Sequence, residues 1–228
     1  VVQLCGSERV GRVAALLVPA MSVLYIAGAL AVIVANYRVL PAAFAAIVSD
    51  APHPRAFLVG IGRGTFTHEA GLGTAAIAHA AADTDNAHKQ ALYGVFEVFF
   101  DTIVICSLTA LAVLVSGVSL APGPEAKNSA LVIEAFSGLF GTRASALGIA
   151  ISLALFAFSS ILSFSYYGGV SAKYALGQTG ALVYPYLFLL LIVTGSVMRV
   201  QLAWRLAEWA NLAMAALNMT ALVPLLRR

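Results

Sequence analysis

Charge is what this sequence has least of. Only 10% of its 228 residues are Asp, Glu, Lys or Arg, against 61% hydrophobic, and the mean hydropathy is +0.93. So little charge cannot cover the surface of a water-soluble domain, which excludes that class. Cysteine is almost absent as well. Cys5 and Cys106 alone build neither a disulfide framework nor a cysteine metal cluster. The formal net charge of +3 is ordinary for a membrane protein, whose basic residues sit in loops, and with no basic stripe nucleic acid is not expected as a partner. The opening VVQLCGSERVGR has no charged start followed by an apolar core and a cleavage site, so it is not a signal peptide. A first residue of Val instead of Met leads us to expect a truncated chain. Two protease signatures are missing too: the position four after His68 is Leu72, which leaves HExxH incomplete, and no GxGD accompanies Asp101. An enzyme is not expected.

Long apolar runs are what the sequence has in abundance. A spanning helix needs about 20 apolar residues, and 13–36, 91–115, 144–167, 181–198 and 207–226 qualify as continuous runs. A sixth, 56–82, is long enough but interrupted. These limits predict an all-α, single transmembrane domain over 1–228 with six spans and both ends on one side. Arg9, Arg12, Arg227 and Arg228 suit the cytoplasmic side, although equally basic opposite loops leave the orientation open. The segment YRVLPAAFAAIVS after Asn36 is too short to span and reads as an interfacial helix, with Pro41 in its first turn. Further on, APGPE at 121–125 breaks any helix. After it Ala130, Ile133, Phe136, Leu139 and Phe140 recur at helical spacing, predicting a loop helix over 129–140. It is either a lid over a substrate path or a connector docked on its neighbours.

The polar residues concentrate in GRGTFTHEAGLGTAAIAHAAA, residues 62–82. Gly60, Gly62, Gly64, Gly71 and Gly73 crowd this run, predicting a helix broken around 66–73. Inside a bilayer, unwound backbone is tolerated only where protein buries it or a watery cavity meets it. Close helix packing through small residues is the other reading, but it leaves Thr65, Thr67, His68 and Glu69 unexplained. His68 reads as a hydrogen-bonding lining residue and His79 as a satisfied polar group near a helix end. Glu97 and Asp101 stand four apart, one helical turn and ~6 Å along the axis, hence on one face. An aspartate costs ~2.5–3.5 kcal/mol at the bilayer centre, so both are expected to face inward, with Arg63 a candidate partner. Their role is either a proton relay or cation attraction, or a structural hydrogen bond or ion pair that holds this helix to the broken one. In FAFSSILSFSYYGG, residues 156–169, Ser159, Ser160 and Ser163 read first as packing residues. Ser160 and Phe164 share a face, pairing a hydroxyl with an aromatic wall for a small ligand.

Four stretches in order resemble one family. GRGTFTHEAGLGTAAIAHAAADTD, KQALYGVFEVFFDTIVICSLTAL, FAFSSILSFSYYGG and WRLAEWANLAMAALN are similar to GxxRGxFSNEAGxGSAPIAHAAA, FIDTxxxCTxTAL, FAFSTxLGWSYYGE and WDxADxxNxLMAxPN of the alanine or glycine:cation symporters. The resemblance implies a LeuT-type inverted-repeat transporter fold of the APC superfamily. The six spans would be its helices five to ten, and the N-terminal repeat of the same protein would be missing. It implies sodium-coupled symport of a small neutral amino acid, alanine or glycine, across the cell membrane of a bacterial or archaeal-type cell by alternating access. No cofactor is implied beyond the coupling ion, sodium or a proton. Partners are the amino acid and the lipid bilayer. Phe66, Thr67 and His68 would line the site from the broken helix, facing Ser160 and Phe164. Ser159 or Ser160 would give a hydroxyl to sodium, a hard cation that takes oxygen ligands. Gly64, Gly71 and Gly73 would act as hinges, and Arg63, Glu69, Glu97 and Asp101 as buried charges. Departures from the family pattern are His68 for asparagine, Glu97 for a small residue, Phe164 for tryptophan, Gly169 for glutamate and Arg205 for aspartate. A non-transporting remnant or interaction scaffold is the alternative reading.

Overall fold

The computed structural model describes residues 7–118 and 128–225, and every regular element among them is helical. The expected break at 121–125, Cys5, Arg227, Arg228 and the side chains of Arg9 and Arg12 lie outside the described residues. Helix α1 covers Ser7–Ala35; a short 3-10 turn, Tyr37–Val39, leads into α2, Leu40–Asp50. Pro41 sits in the first turn of α2, where no amide is required of it. Then come α3 (Pro54–His68), α4 (Thr74–Ala80) and α5 (Ala87–Phe99). A π-helical segment, Phe100–Cys106, continues without a gap into α6 (Ser107–Val115). Helices α7 (Asn128–Phe140), α8 (Thr142–Val197) and α9 (Val200–Leu225) complete the described chain.

Among the described residues four helical stretches are long and apolar enough to cross a membrane: Leu16–Ala35, Ala87–Val115, Thr142–Val197 and Val200–Leu225. The run expected as a span over 144–167 and all but the last residue of the one over 181–198 fall within α8, which counts 56 residues. A straight α-helix of that length would extend about 84 Å, nearly three times a hydrocarbon core of about 30 Å. Gly177 interrupts this length. Its φ of 63° and ψ of −146° are not helical and lie beside a region that essentially only glycine enters, so 142–176 and 178–197 are two rods. The run 56–82 contains no helix of spanning length, because α3 has 15 residues and α4 only seven.

The chain divides into two compact units. The first is built from Gly11–Val59 and Phe100–Ile161. Its core joins Ala29, Val32 and Ile33 of α1, Ala43 of α2, Ala112 and Val115 of α6, Ala135 and Phe136 of α7, and Ile149 of α8. The alanines let the helix backbones approach closely. Tyr25 stacks on Phe136 at 6.1 Å between centroids and exchanges a 2.8 Å hydrogen bond with Thr109. The inward face of α7 is formed by Ala135 and Phe136 with Val132 and Ile133 beside them, whereas Ala130, Leu139 and Phe140 are exposed. Of the apolar stripe read from the sequence, Ile133 and Phe136 belong to this inward face.

The second unit is built mainly from Gly60–Phe99 and the chain from Leu162 onward. Within it Tyr184 lies directly over Gly168, where any Cβ would collide with the phenol, and its hydroxyl donates to the Phe164 carbonyl at 3.3 Å.

Candidate functional site

Helix α3 stays regular through Thr65 and Thr67, whose hydroxyls donate hydrogen bonds to the carbonyls of Ile61 and Arg63, each at 2.9 Å. It ends at His68, and residues 69–73 are unwound before α4 begins. Three of the five have positive φ: Glu69 at 53°, Gly71 at 84° and Gly73 at 91°. For a glutamate this is a strained conformation, of the kind that collects at functional sites. Three hydrogen bonds engage some of the unwound peptide groups. The Ala70 amide donates to His68 Nδ1 at 3.1 Å, the Leu72 amide to the Glu69 carbonyl at 3.1 Å, and Asn218 Nδ2 of α9 to the Gly71 carbonyl at 2.9 Å. With Nδ1 accepting, the neutral His68 ring carries its proton on Nε2. Gly64 lies inside regular α3 and outside the positive-φ set, so the unusual backbone belongs to Gly71 and Gly73.

Helix α9 holds α3 through side chains as well. Arg63 Nη2 lies 3.1 Å from Glu208 Oε1, its guanidinium sits 4.3 Å from the centre of the Trp204 ring, and Trp204 packs on Phe66 at 5.2 Å and 56°. The expected partnership of Arg63 with Glu97 or Asp101 is thus replaced by one with Glu208. Glu97 takes a different neighbour, His79, whose Nε2 is 3.4 Å from Oε2, while Gln90 Nε2 is 2.8 Å from His79 Nδ1. A cavity of about 530 Å³ opens beside this histidine, lined among others by Thr84, Asp85, Gln90 and Gly94.

The residues read as buried charges are not deeply buried within the chain. Arg63 and Glu97 keep 48% and 73% of their side-chain area exposed, and Glu69 is half-buried. Long charged side chains run along a helix surface with their heads outward, so pairing instead of burial answers their charge. Asp101 is half-buried and belongs to the other unit, in the π segment. There the hydrogen bonds run i to i+5, so the four-residue spacing from Glu97 is no longer one α-helical turn. In that same unit Ser159 is buried and its hydroxyl donates to the Phe156 carbonyl at 2.9 Å, whereas Ser160 is exposed. Phe66, Thr67, His68 and Phe164 belong to the second unit, where Phe164 meets Tyr167 edge to face at 6.2 Å. Among the described residues no cluster of three His, Cys, Asp or Glu is placed to hold a metal ion.

Trp204, Glu208, Asn218 and Gln90 lie in the stretches that carry the resemblance but were not singled out as site residues from the sequence. Glu208 had a signal available, since an acidic residue in an apolar spanning helix is a site hypothesis by default. Starting that span at 207 left Trp204 outside it; α9 begins at Val200, which places both on one helix a turn apart.

Known proteins resemble this chain along its whole length. The family described as "Sodium:alanine symporter family" matches residues 1–228. The sodium/alanine symporter AgcS of Methanococcus maripaludis is 34% identical over 228 residues, covering 96% of this chain and 50% of that protein. The probable sodium/glutamine symporter GlnT of Bacillus subtilis is 35% identical, covering 95% and 47%. The sodium/proton-dependent alanine carrier protein of Bacillus sp. (strain PS3) is 28% identical, covering 97% and 55%. The chain spans about half the length of the curated relatives it matches.

Proposed function

This chain belongs to the sodium:alanine symporter family, and from that premise we propose that the protein takes part in sodium-coupled symport of a small neutral amino acid, alanine or glycine, by alternating access. The observation that carries this reading is the unwound stretch at 69–73, tied to α9 by Asn218. Peptide groups released from a helix inside a membrane offer N–H donors and carbonyl oxygens at a depth where lipid offers none. An amino acid needs both, for its carboxylate and its ammonium group. The apolar helices make this a multi-pass membrane protein, for which we propose the cell membrane and a LeuT-type fold. The named relatives are symporters and carriers, not enzymes.

The proposed roles follow the polar chemistry of each segment. Phe66, Thr67, His68 and Phe164 contact the amino acid, and Gly71 and Gly73 let the unwound segment move. Ser159 and Ser160, in the other unit, are oxygen donors for sodium. Because the relatives' names include both alanine and glutamine, the size of the carried side chain needs a direct test. The test is uptake of labelled alanine, glycine and glutamine into proteoliposomes containing the protein, with and without an inward sodium gradient. Uptake of alanine or glycine should require the gradient and fall at least about tenfold in Phe66→Ala and His68→Ala. Folded protein that carries none of the three, or carries them regardless of sodium, overturns the proposal.

A further inference from the structure

We propose that Trp204 sets the size of amino acid this protein accepts, acting through Phe66 as a positioning residue; the inference rests on the reading that Phe66 contacts the substrate. Phe66 lies in the last turn of α3, three residues before the backbone unwinds at Glu69. Arg63 is one turn earlier on the same face, and α9 presents Trp204 and Glu208 one turn apart against them. The four side chains form a chain of contacts: Glu208 to Arg63 at 3.1 Å, Arg63 to the indole at 4.3 Å, and the indole to the Phe66 ring at 5.2 Å.

Each contact limits the next. A carboxylate fixes the direction of a guanidinium fork, a cation over an indole is attracted by the ring quadrupole, and a tilted aromatic pair has a preferred separation. Trp204 therefore blocks movement of the Phe66 ring toward α9. Whatever space the phenyl leaves for a substrate side chain is fixed from α9, a helix that none of the substrate roles assigned above includes. A glycine or alanine leaves the stack undisturbed, whereas a longer side chain requires Phe66 to displace Trp204. The restriction concerns size, not charge, because the guanidinium is already matched by Glu208.

The test compares labelled alanine and glutamine in proteoliposomes for the parent protein, Trp204→Ala, Trp204→Phe and Glu208→Gln. One methylene in an apolar pocket changes selectivity by about tenfold or more. Trp204→Ala should accordingly lower the alanine-to-glutamine ratio by at least about tenfold, chiefly by admitting glutamine. Trp204→Phe should keep the parent ratio, and Glu208→Gln should shift it in the direction of Trp204→Ala by less. A second readout needs no transport. The chain has two tryptophans, so in a Trp209→Phe background the fluorescence of Trp204 should change when alanine is added with sodium. Trp209 is largely exposed, which suits it for replacement. If Trp204→Ala lowers both substrates equally and leaves the ratio intact, Trp204 serves packing alone and the proposal is overturned. If the parent carries neither amino acid, the transport reading fails separately, and a Trp204 emission insensitive to alanine overturns this inference as well.

Discussion

Asn218 and Gly73 meet at the unwound turn, and their geometry separates two nearby substitutions. The Asn218 amide donates to the Gly71 carbonyl at 2.9 Å, and a Cβ added to Gly73 would stand 3.3 Å from Asn218 Oδ1. A Cβ on Gly71 would meet open space. Both glycines have positive φ, where an L-residue costs about 1–2 kcal/mol. Gly73→Ala should therefore lower the thermal unfolding midpoint in detergent more than Gly71→Ala, and the difference should vanish in an Asn218→Ala background. Asn218→Ala alone should cost about 1 kcal/mol, the usual net contribution of one hydrogen bond. Asn218→Asp should cost more, since it turns an acceptor toward the Gly71 carbonyl. A midpoint for Asn218→Ala equal to that of the parent protein would show that this bond contributes nothing. At this scale the sequence revealed that polar residues and glycines collect near 62–73. It did not reveal partners such as Asn218, which lies 147 residues from Gly71 along the chain.

Among the elements, α8 is held in shape by two glycines with different tasks. Gly177 takes a conformation that a side chain resists, and Gly168 leaves the space filled by Tyr184. Gly177→Ala should destabilise the protein by about 1–3 kcal/mol. Gly168→Ala should cost about 1–3 kcal/mol through overpacking, and most of that loss should disappear in a Tyr184→Ala background. A thermal-unfolding cycle over the four proteins checks the second claim; an unchanged cost in the Tyr184→Ala background would place the clash elsewhere. The apolar runs were legible because hydropathy alone requires about 20 residues to cross a bilayer. Their joints were less so. The helical state of α3 persists to His68, with the Thr65 and Thr67 hydroxyls satisfied by backbone carbonyls of their own helix, which narrows the interruption from 66–73 to 69–73. The π segment Phe100–Cys106 left no periodic trace, since a shift from i+4 to i+5 bonding changes no residue type.

For the whole molecule, the proposed symport has a thermodynamic signature separable from uptake. A ligand that binds only the folded state at 100 times its Kd stabilises it by about 2.7 kcal/mol. Sodium with alanine should therefore raise the unfolding midpoint above that with sodium alone, and Phe66→Ala should reduce the alanine increment. A midpoint indifferent to alanine at every sodium concentration would oppose the proposed substrate. Composition determined the solvent of this protein, because 10% charge and 61% hydrophobic residues suit a bilayer and not water. Ordered motifs pointed to the family, and the crowding of glycine with polar residues pointed to the interrupted helix. Only the tertiary structure decided that Arg63 meets Glu208 instead of Glu97, that Trp204 stands behind Phe66, and that Ala135 and Phe136 form the buried face of α7. Solvent and secondary structure are local properties, set by runs and periods a few residues long. Partnership between side chains depends on which helices pack together, and that packing is decided by contacts far apart in the chain.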